Sequence, residues 1–222
     1  MTIKRLLLLT LPVLATAAWA ATAGAPPAAP AQLAQAPVNA SAPDVLIRTL
    51  SDDVLARIKA DPAVQAGDIA KISVLVDETI MPYVNFQRMT ASAVGRSWRT
   101  ATPEQQKQIQ DEFKILLLRT YSGALSQART QTIDVKRLRA APTDTEVTVK
   151  SEFKSGGNSP VSVDYRLEKT DKGWRVYDMN VMGVWLIETY RADFASAVNA
   201  GGIDNLIAKL AERNKSNAKS KS

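Results

Sequence analysis

The sequence predicts an α+β fold, in which a helical layer packs on one face of a curved antiparallel sheet of about four strands, an arrangement able to form an apolar cleft. Apolar residues recur at helical spacing through the first half of the chain. The period changes to two at Thr130, and helical spacing returns after Val184. Helices, then strands, then helices leave one face of the sheet to be covered by the helices.

Asp44 is placed to cap a first helix with Leu46, Leu50, Val54 and Ile58 at every fourth position. Asp61-Pro62 reads as a cap followed by a first-turn proline, interrupted at Gly67. Asp68 opens a run with Ile69, Ile72, Val76 and Ile80 on one face, which Pro82 breaks. Asn85 starts a helix carrying Phe86, Met89 and Val94 that ends near Gly95 to Trp98. The clearest helix runs from Thr102 to about Ala128. Thr102 with Gln105 forms a capping box, Pro103 takes the first position, and Ile109, Phe113, Leu116, Leu117, Tyr121 and Leu125 make a wide stripe.

From Thr130 the residues alternate. Ile133 and Val135 begin the pattern, Val147, Val149 and Phe153 continue it, and Val161, Val163, Tyr165 and Leu167 repeat it. Val149 and Val163 are thus expected to face the helices, with Thr148 and Lys150 on the other side. Gly156-Gly157 and Asp171-Lys172-Gly173 suit hairpin turns. Trp174 and Val176 share one parity whereas Met179 and Val181 take the other, which predicts a bulge near Tyr177-Asp178 and a bend in the sheet. Two helices are expected to close the chain, Val184 to Val198 and Ile203 to Arg213.

The ends divide off from this domain. Lys4 and Arg5 precede an apolar run from Leu6 to Ala18, and Ala18-Trp19-Ala20 has the A-x-A form, so residues 1–20 are expected to be a signal peptide cut after Ala20. The run is too short for a hydrocarbon core of about 30 Å. With no cysteine in the chain there is no site for a lipoprotein anchor. Residues 21–43 are mostly Ala and Pro without a charge and are expected to be a disordered tether. Residues 214–222 are expected to be a disordered basic tail. The 44–213 segment suits one domain with its own core. Lys4, Arg5 and the tail lysines carry five of the six net positive charges, so the domain is near neutral and a nucleic-acid partner is not expected.

With no His and no Cys, catalytic triads, thiolate chemistry and imidazole metal sites are excluded. Ser151 and Lys154 match a serine–lysine spacing, but residues three apart in a strand point to opposite faces. Ser216 and Lys219 repeat the spacing in the tail, where no pocket is expected. Asp164, Arg166, Asp178 and Arg191 read as surface ion pairs. Tyr190, Arg191 and Phe194 suit a helix that docks its rings while its arginine caps carbonyls.

Several runs match a known family in order. MPYVNF, VGRSW, TPEQQKQIQDEF and LLLRTYSGAL, then VSVDYRLEK, GWRVYDMNVMGVWLIETYRADF and GIDNLIAKL, resemble the helices, strands and closing helices of the MlaC family. These are periplasmic phospholipid-binding proteins, also called the toluene-tolerance family, and the resemblance covers nearly all of Asp44 to Arg213. It implies a periplasmic carrier, with no cofactor, whose pocket takes phospholipid acyl chains. Such a carrier shuttles lipid between an outer-membrane lipoprotein–porin complex and an inner-membrane ABC transporter with its substrate-binding membrane subunit, and so maintains outer-membrane lipid asymmetry. A monomer is expected.

The residues expected to line the lipid pocket are Tyr83, Phe86, Val94, Trp98, Phe113, Leu117 and Tyr121 from the helices. From the strands they are Val147, Val149, Phe153, Val163, Tyr165, Trp174, Val176, Met179 and Val181. Trp185 stands where family members usually carry a small residue, often Ser, and is expected to narrow the pocket or form its floor. Two alternatives stand beside this reading. One is a hopanoid-associated lipid carrier of the same family. The other is a cavity enzyme of isomerase or dehydratase type, for which Asp178 with Tyr165 is the pair available; no catalytic residue is otherwise expected.

Overall fold

The structure is a computed structural model that describes residues 42–156 and 159–219. The signal peptide expected over 1–20, the tether up to residue 41, and residues 220–222 lie outside the described residues.

Helix α1 (Pro43–Ala60) starts one residue earlier than Asp44. Pro43 takes the first helical position, while Asp44 reaches across to accept the Leu138 backbone N–H at 3.3 Å. The expected stripe also shifts. Leu46, Ile47, Leu55 and Ile58 are buried, whereas Leu50 and Val54 are half-buried. The physical reason is that α1 serves two partners. Leu46 and Ile47 pack on the sheet, and Leu55 and Ile58 pack with α2 (Pro62–Gln65), α3 (Ile69–Leu75) and α5 (Pro103–Gln127).

Asp61 and Asp68 cap α2 and α3, each accepting two backbone N–H groups. The helical period then breaks. Residues Val76–Ile80 form a π-helical turn and Met81–Tyr83 a 3-10 turn around Pro82. The inward positions pass from the expected Val76 and Ile80 to Leu75 and Thr79, which are the buried ones. Asn85 caps α4 (Phe86–Val94), and the Thr102–Gln105 capping box opens α5 as expected.

Strands β1 (Thr132–Val135), β2 (Glu146–Lys154), β3 (Val161–Thr170), β4 (Gly173–Val181) and β5 (Val184–Trp185) form an antiparallel meander in sequence order. The fifth strand replaces the first turn of the expected closing helix. Val184 pairs with Val181 and Trp185 with Asn180 across Met182-Gly183. Their φ angles of 53° and 90° make the tight turn that matches strand twist.

Register places Val149 opposite Tyr165, Tyr165 opposite Met179, and Leu167 opposite Val176. Arg166 faces Asp178, so Tyr177 is left without a partner and the bulge lies where the parity change put it. Val176 and Met179 therefore face the helices together, and Asp178 faces the other way.

That carboxylate fixes the start of α6 (Leu186–Lys219), two helical segments joined at Gly201–Gly202. Asp178 Oδ1 accepts the N–H groups of Met179 and Ile187 at 2.9 and 3.2 Å, and Oδ2 accepts from Arg166 at 3.1 Å. At the break, Gly202 has φ 76°, which a side chain would strain. The tail expected to be disordered from Asn214 is helical through Lys219. Asn214 continues the stripe of Ile203, Leu206 and Leu210, and its amide donates to Glu112 on α5.

Two stability measurements follow. Asp178→Ala leaves the buried Ile187 N–H, the part-buried Met179 N–H and the Arg166 guanidinium without their acceptor, a loss of roughly 3 kcal/mol in urea denaturation. Asp178→Asn, which keeps an acceptor, is expected to lose less. The second concerns Tyr165, whose phenol burial pushes up to about 12 against hydrogen bonds from Ser151 and Ser51. An unfolded tyrosine ionises near pH 10, so this contribution is present below about pH 10 and lost as pH rises toward 12. Stability is expected to fall over that window by about 2–3 kcal/mol, with a visibly shallower fall in Tyr165→Phe.

Candidate functional site

The expected lining residues divide between two apolar clusters. Val149, Val163, Tyr165, Trp174 and Val176 are buried between the sheet and α1, with Tyr83, Val147, Phe153 and Met179 half-buried at the margin. Val94, Trp98 and Phe113 are buried among α4, α5 and α6, bordered by Phe86, Leu117, Tyr121 and again Met179. Phe113 is the centre of that second cluster. Its ring stacks 5.8 Å from Phe86 and takes Tyr190 and Phe194 edge-on at 5.0 and 5.1 Å. Val181 lies opposite Val163 on the same sheet face.

The expected lining residues thus fall in two clusters, and a third, built from α1, α2, α3 and α5 with Ile133 and Phe153 at its margin, joins the sheet to α5. Leu46 and Ile47 of α1, which the sequence reading did not place at the site, pack in the same cluster as Val149 and Leu167. Among the described residues, only Val84 and Met179 belong to both clusters. They mark a seam between the sheet with α1 on one side and the helices α4, α5 and α6 on the other. Apolar side chains line it, and among the described residues no main-chain ladder crosses it beyond Val84–Val176.

The rim of the seam is polar. The Asn85 backbone N–H donates to the Val176 carbonyl at 2.8 Å, and its side-chain amide donates to Glu168 Oε1 at 2.6 Å. Arg88 Nη1 pairs with Glu168 Oε2 and Nη2 with Glu146 Oε1 at 2.6 Å. The Tyr177 hydroxyl donates to the other oxygen of Glu146 at 3.1 Å, and the Arg88 guanidinium lies 3.7 Å from the Tyr177 ring centroid. The Arg88 contact holds the Glu146 carboxyl below the usual carboxylate range. None of these side chains was a candidate in the sequence. Glu146 and Glu168 are paired only by the β2–β3 register, and Tyr177 meets Arg88 only because it is the bulged residue.

Trp185, expected to narrow the pocket or form its floor, belongs to neither cluster. It pairs with Asn180, and its ring covers the Arg166 guanidinium at 3.6 Å on the polar sheet face. The β5 hairpin turns the indole there. Asp178 and Tyr165 do not form a pair either, because Asp178 faces Arg166 and Tyr165 faces Met179 across the strand, on opposite sides. Burial pushes the Asp178 carboxyl up, against its hydrogen bonds from Ile187, Met179 and Arg166, yet both oxygens are engaged in structure. Ser151 is buried and donates to Val163 O while Lys154 is exposed beside Asp134, so the serine–lysine spacing brings nothing together. Arg191 donates to the Ser92 carbonyl near the end of α4, the capping role expected of it.

Two shallow surface hollows lie away from the sheet. One of about 480 Å³ is lined by Ala208, Ala211, Glu212, Lys215 and Ser216, and one of about 420 Å³ lies between Ser92–Ser97 and Arg191–Asn199. Among the described residues no helix is long and apolar enough to cross a membrane.

Comparison with known proteins agrees with this architecture. The family model described as MlaC protein matches residues 48–212. The chain is 24% identical over 173 residues to the intermembrane phospholipid transport system binding protein MlaC of Haemophilus influenzae, covering 77% of this chain and 81% of that protein. It is 24% identical over 168 residues to the toluene tolerance protein ttg2D of Pseudomonas putida, covering 75% and 78%. Among solved structures, a phospholipid-binding protein from Ralstonia solanacearum in complex with a phospholipid superimposes with a TM-score of 0.75 at 50% identity, over 78% of this chain and 96% of that one. With residues 48–212, well over half of its length, matched by that family model, the chain belongs to the MlaC family.

Proposed function

We propose that this protein is a periplasmic phospholipid carrier that holds acyl chains along the seam at Val84 and Met179. It passes lipid between an outer-membrane lipoprotein–porin complex and an inner-membrane ABC transporter complex. The observation that carries the reading is the kinship with the phospholipid-bound Ralstonia protein, at 50% identity over nearly all of that chain.

Physical chemistry supports a passive carrier. Two acyl chains hold roughly 30 methylenes at about 0.8 kcal/mol each, so leaving water gains on the order of 25 kcal/mol, and returning to a bilayer gains nearly the same. Exchange with a membrane is therefore close to neutral while release into water is forbidden. Direction belongs to the partners. The absence of His and Cys from the sequence and the separation of Asp178 from Tyr165 favour this reading over a cavity enzyme.

Native mass spectrometry of protein purified from a bacterial host tests it. The wild type is expected to carry the added mass of a phospholipid. Met179→Glu, which sets a carboxylate in the seam, is expected to keep its far-UV circular dichroism and lose most of the lipid. Thr148→Glu on the polar face is expected to change neither, and Val149→Glu, at a fully buried core position, to destabilise the fold by roughly 4 kcal/mol. A wild type that is always lipid-free, or Met179→Glu with full occupancy, contradicts the reading.

A further inference from the structure

We propose that Arg88 is the positioning residue that keeps the seam closed, so that release of its ion pairs admits acyl chains between α4 and β4. The inference rests on the carrier reading and adds to it the step that governs exchange.

Two kinds of tie join the helical body to the sheet beside the seam. On one side Asp178, with no exposed surface, anchors Ile187 at the start of α6 and is itself held by Arg166 under Trp185. A fully buried, fully bonded anchor of this kind is suited to stay made. On the other side α4 meets β4 at Val84–Val176 and the Asn85 N–H, and its side-chain hold is the Asn85 amide on Glu168 together with Arg88, which pairs with Glu146 of β2 and Glu168 of β3 and lies over the Tyr177 ring of β4. Arg88 and Glu146 retain side-chain exposures of 32% and 53%, so their attraction is screened by water and salt and is easily broken and remade.

Placement makes the loose tie the relevant one. Val84 lies four residues before Arg88 in the chain, and Met179 lies two after Tyr177, so the residues that mark the seam are flanked by the residues that clasp it. The bulge gives Tyr177 its aim onto the guanidinium. When Arg88 lets go, α4 remains packed on α5 and α6 through Met89, Ala93 and Val94 and keeps the Asn85 bonds at its first turn, so it is the Arg88–Tyr177 part of its contact with β4 that loosens.

Transfer of a fluorescent phospholipid from donor vesicles to the protein and on to acceptor vesicles is the experiment, run with wild type, Arg88→Gln, Arg88→Lys, Glu146→Gln and Asn214→Ala. Arg88→Gln is expected to speed exchange roughly tenfold, as loss of two part-exposed ion pairs and a stacked guanidinium warrants. Glu146→Gln is expected to give a smaller gain and Arg88→Lys a partial return toward wild type. Added salt is expected to speed the wild type and leave Arg88→Gln unchanged. Asn214→Ala loosens α6 from α5 far from the seam and reports what lost stability alone does; its exchange rate is expected to stay at the wild-type value. Unchanged exchange in Arg88→Gln, or equal acceleration in Asn214→Ala, overturns the proposal. Should Arg88→Gln fail to fold, Glu146→Gln and the salt dependence of the wild type decide in the same way. A wild type that takes up no lipid overturns the carrier reading instead.

Discussion

One surplus residue in β4 sets up the rest of the molecule. Because Tyr177 has no partner in β3, the strand changes parity at that point. Val176 and Met179 can then both face the helices, although they are an odd number of residues apart. Asp178 is turned to the opposite side, where it receives the first turn of α6, and Tyr177 itself is left to support Arg88. A regular ladder would bury Asp178 among Val163 and Tyr165 and point Met179 outward. The apolar face, the closing helix and the polar clasp are three consequences of the same irregularity.

The two sides of the sheet consequently do different work. The inner side carries hydrocarbon against α1, whose gain on burial is non-directional and survives sliding or parting so long as apolar surface stays covered. The outer side carries directional bonds among Arg88, Glu146, Glu168, Arg166 and Asp178. A ligand made of methylenes can replace side-chain contacts on the inner side at little net cost. It offers nothing in exchange for the outer bonds. In the proposed carrier, what opens, and where, is therefore decided by the polar side, and how much room results is decided by the apolar one.

Much of this was legible in the sequence because it depends on local rules. The caps at Asp61, Asp68, Asn85 and Thr102, the strand alternation and the bulge each follow from spacing within a few residues. The α1 stripe was misread because spacing gives one apolar face, whereas α1 divides its burial between Leu46–Ile47 on the sheet and Leu55–Ile58 on the helices. Val184–Trp185 read as helix because nothing local distinguishes a two-residue edge strand from a helical first turn, and the indole was misplaced with it. The tail read as polar because Asn214 is polar, but its amide bonds to Glu112 depend on where α5 lies. The clasp was invisible for the same reason: Arg88, Glu146 and Glu168 meet only after register and helix placement are known.

That acyl chains lie at the junction of the two apolar bodies is the claim most open to direct measurement. The chain has five methionines; Met179 lies in the seam, whereas Met182 is 72% exposed on the β4–β5 turn. With methionine methyl groups isotopically labelled and phospholipid bound, nuclear Overhauser contacts from acyl methylenes are expected at the Met179 methyl and not at Met182. Lipid-bound protein in which Met179 shows no such contact, or in which only Met182 does, would contradict the account.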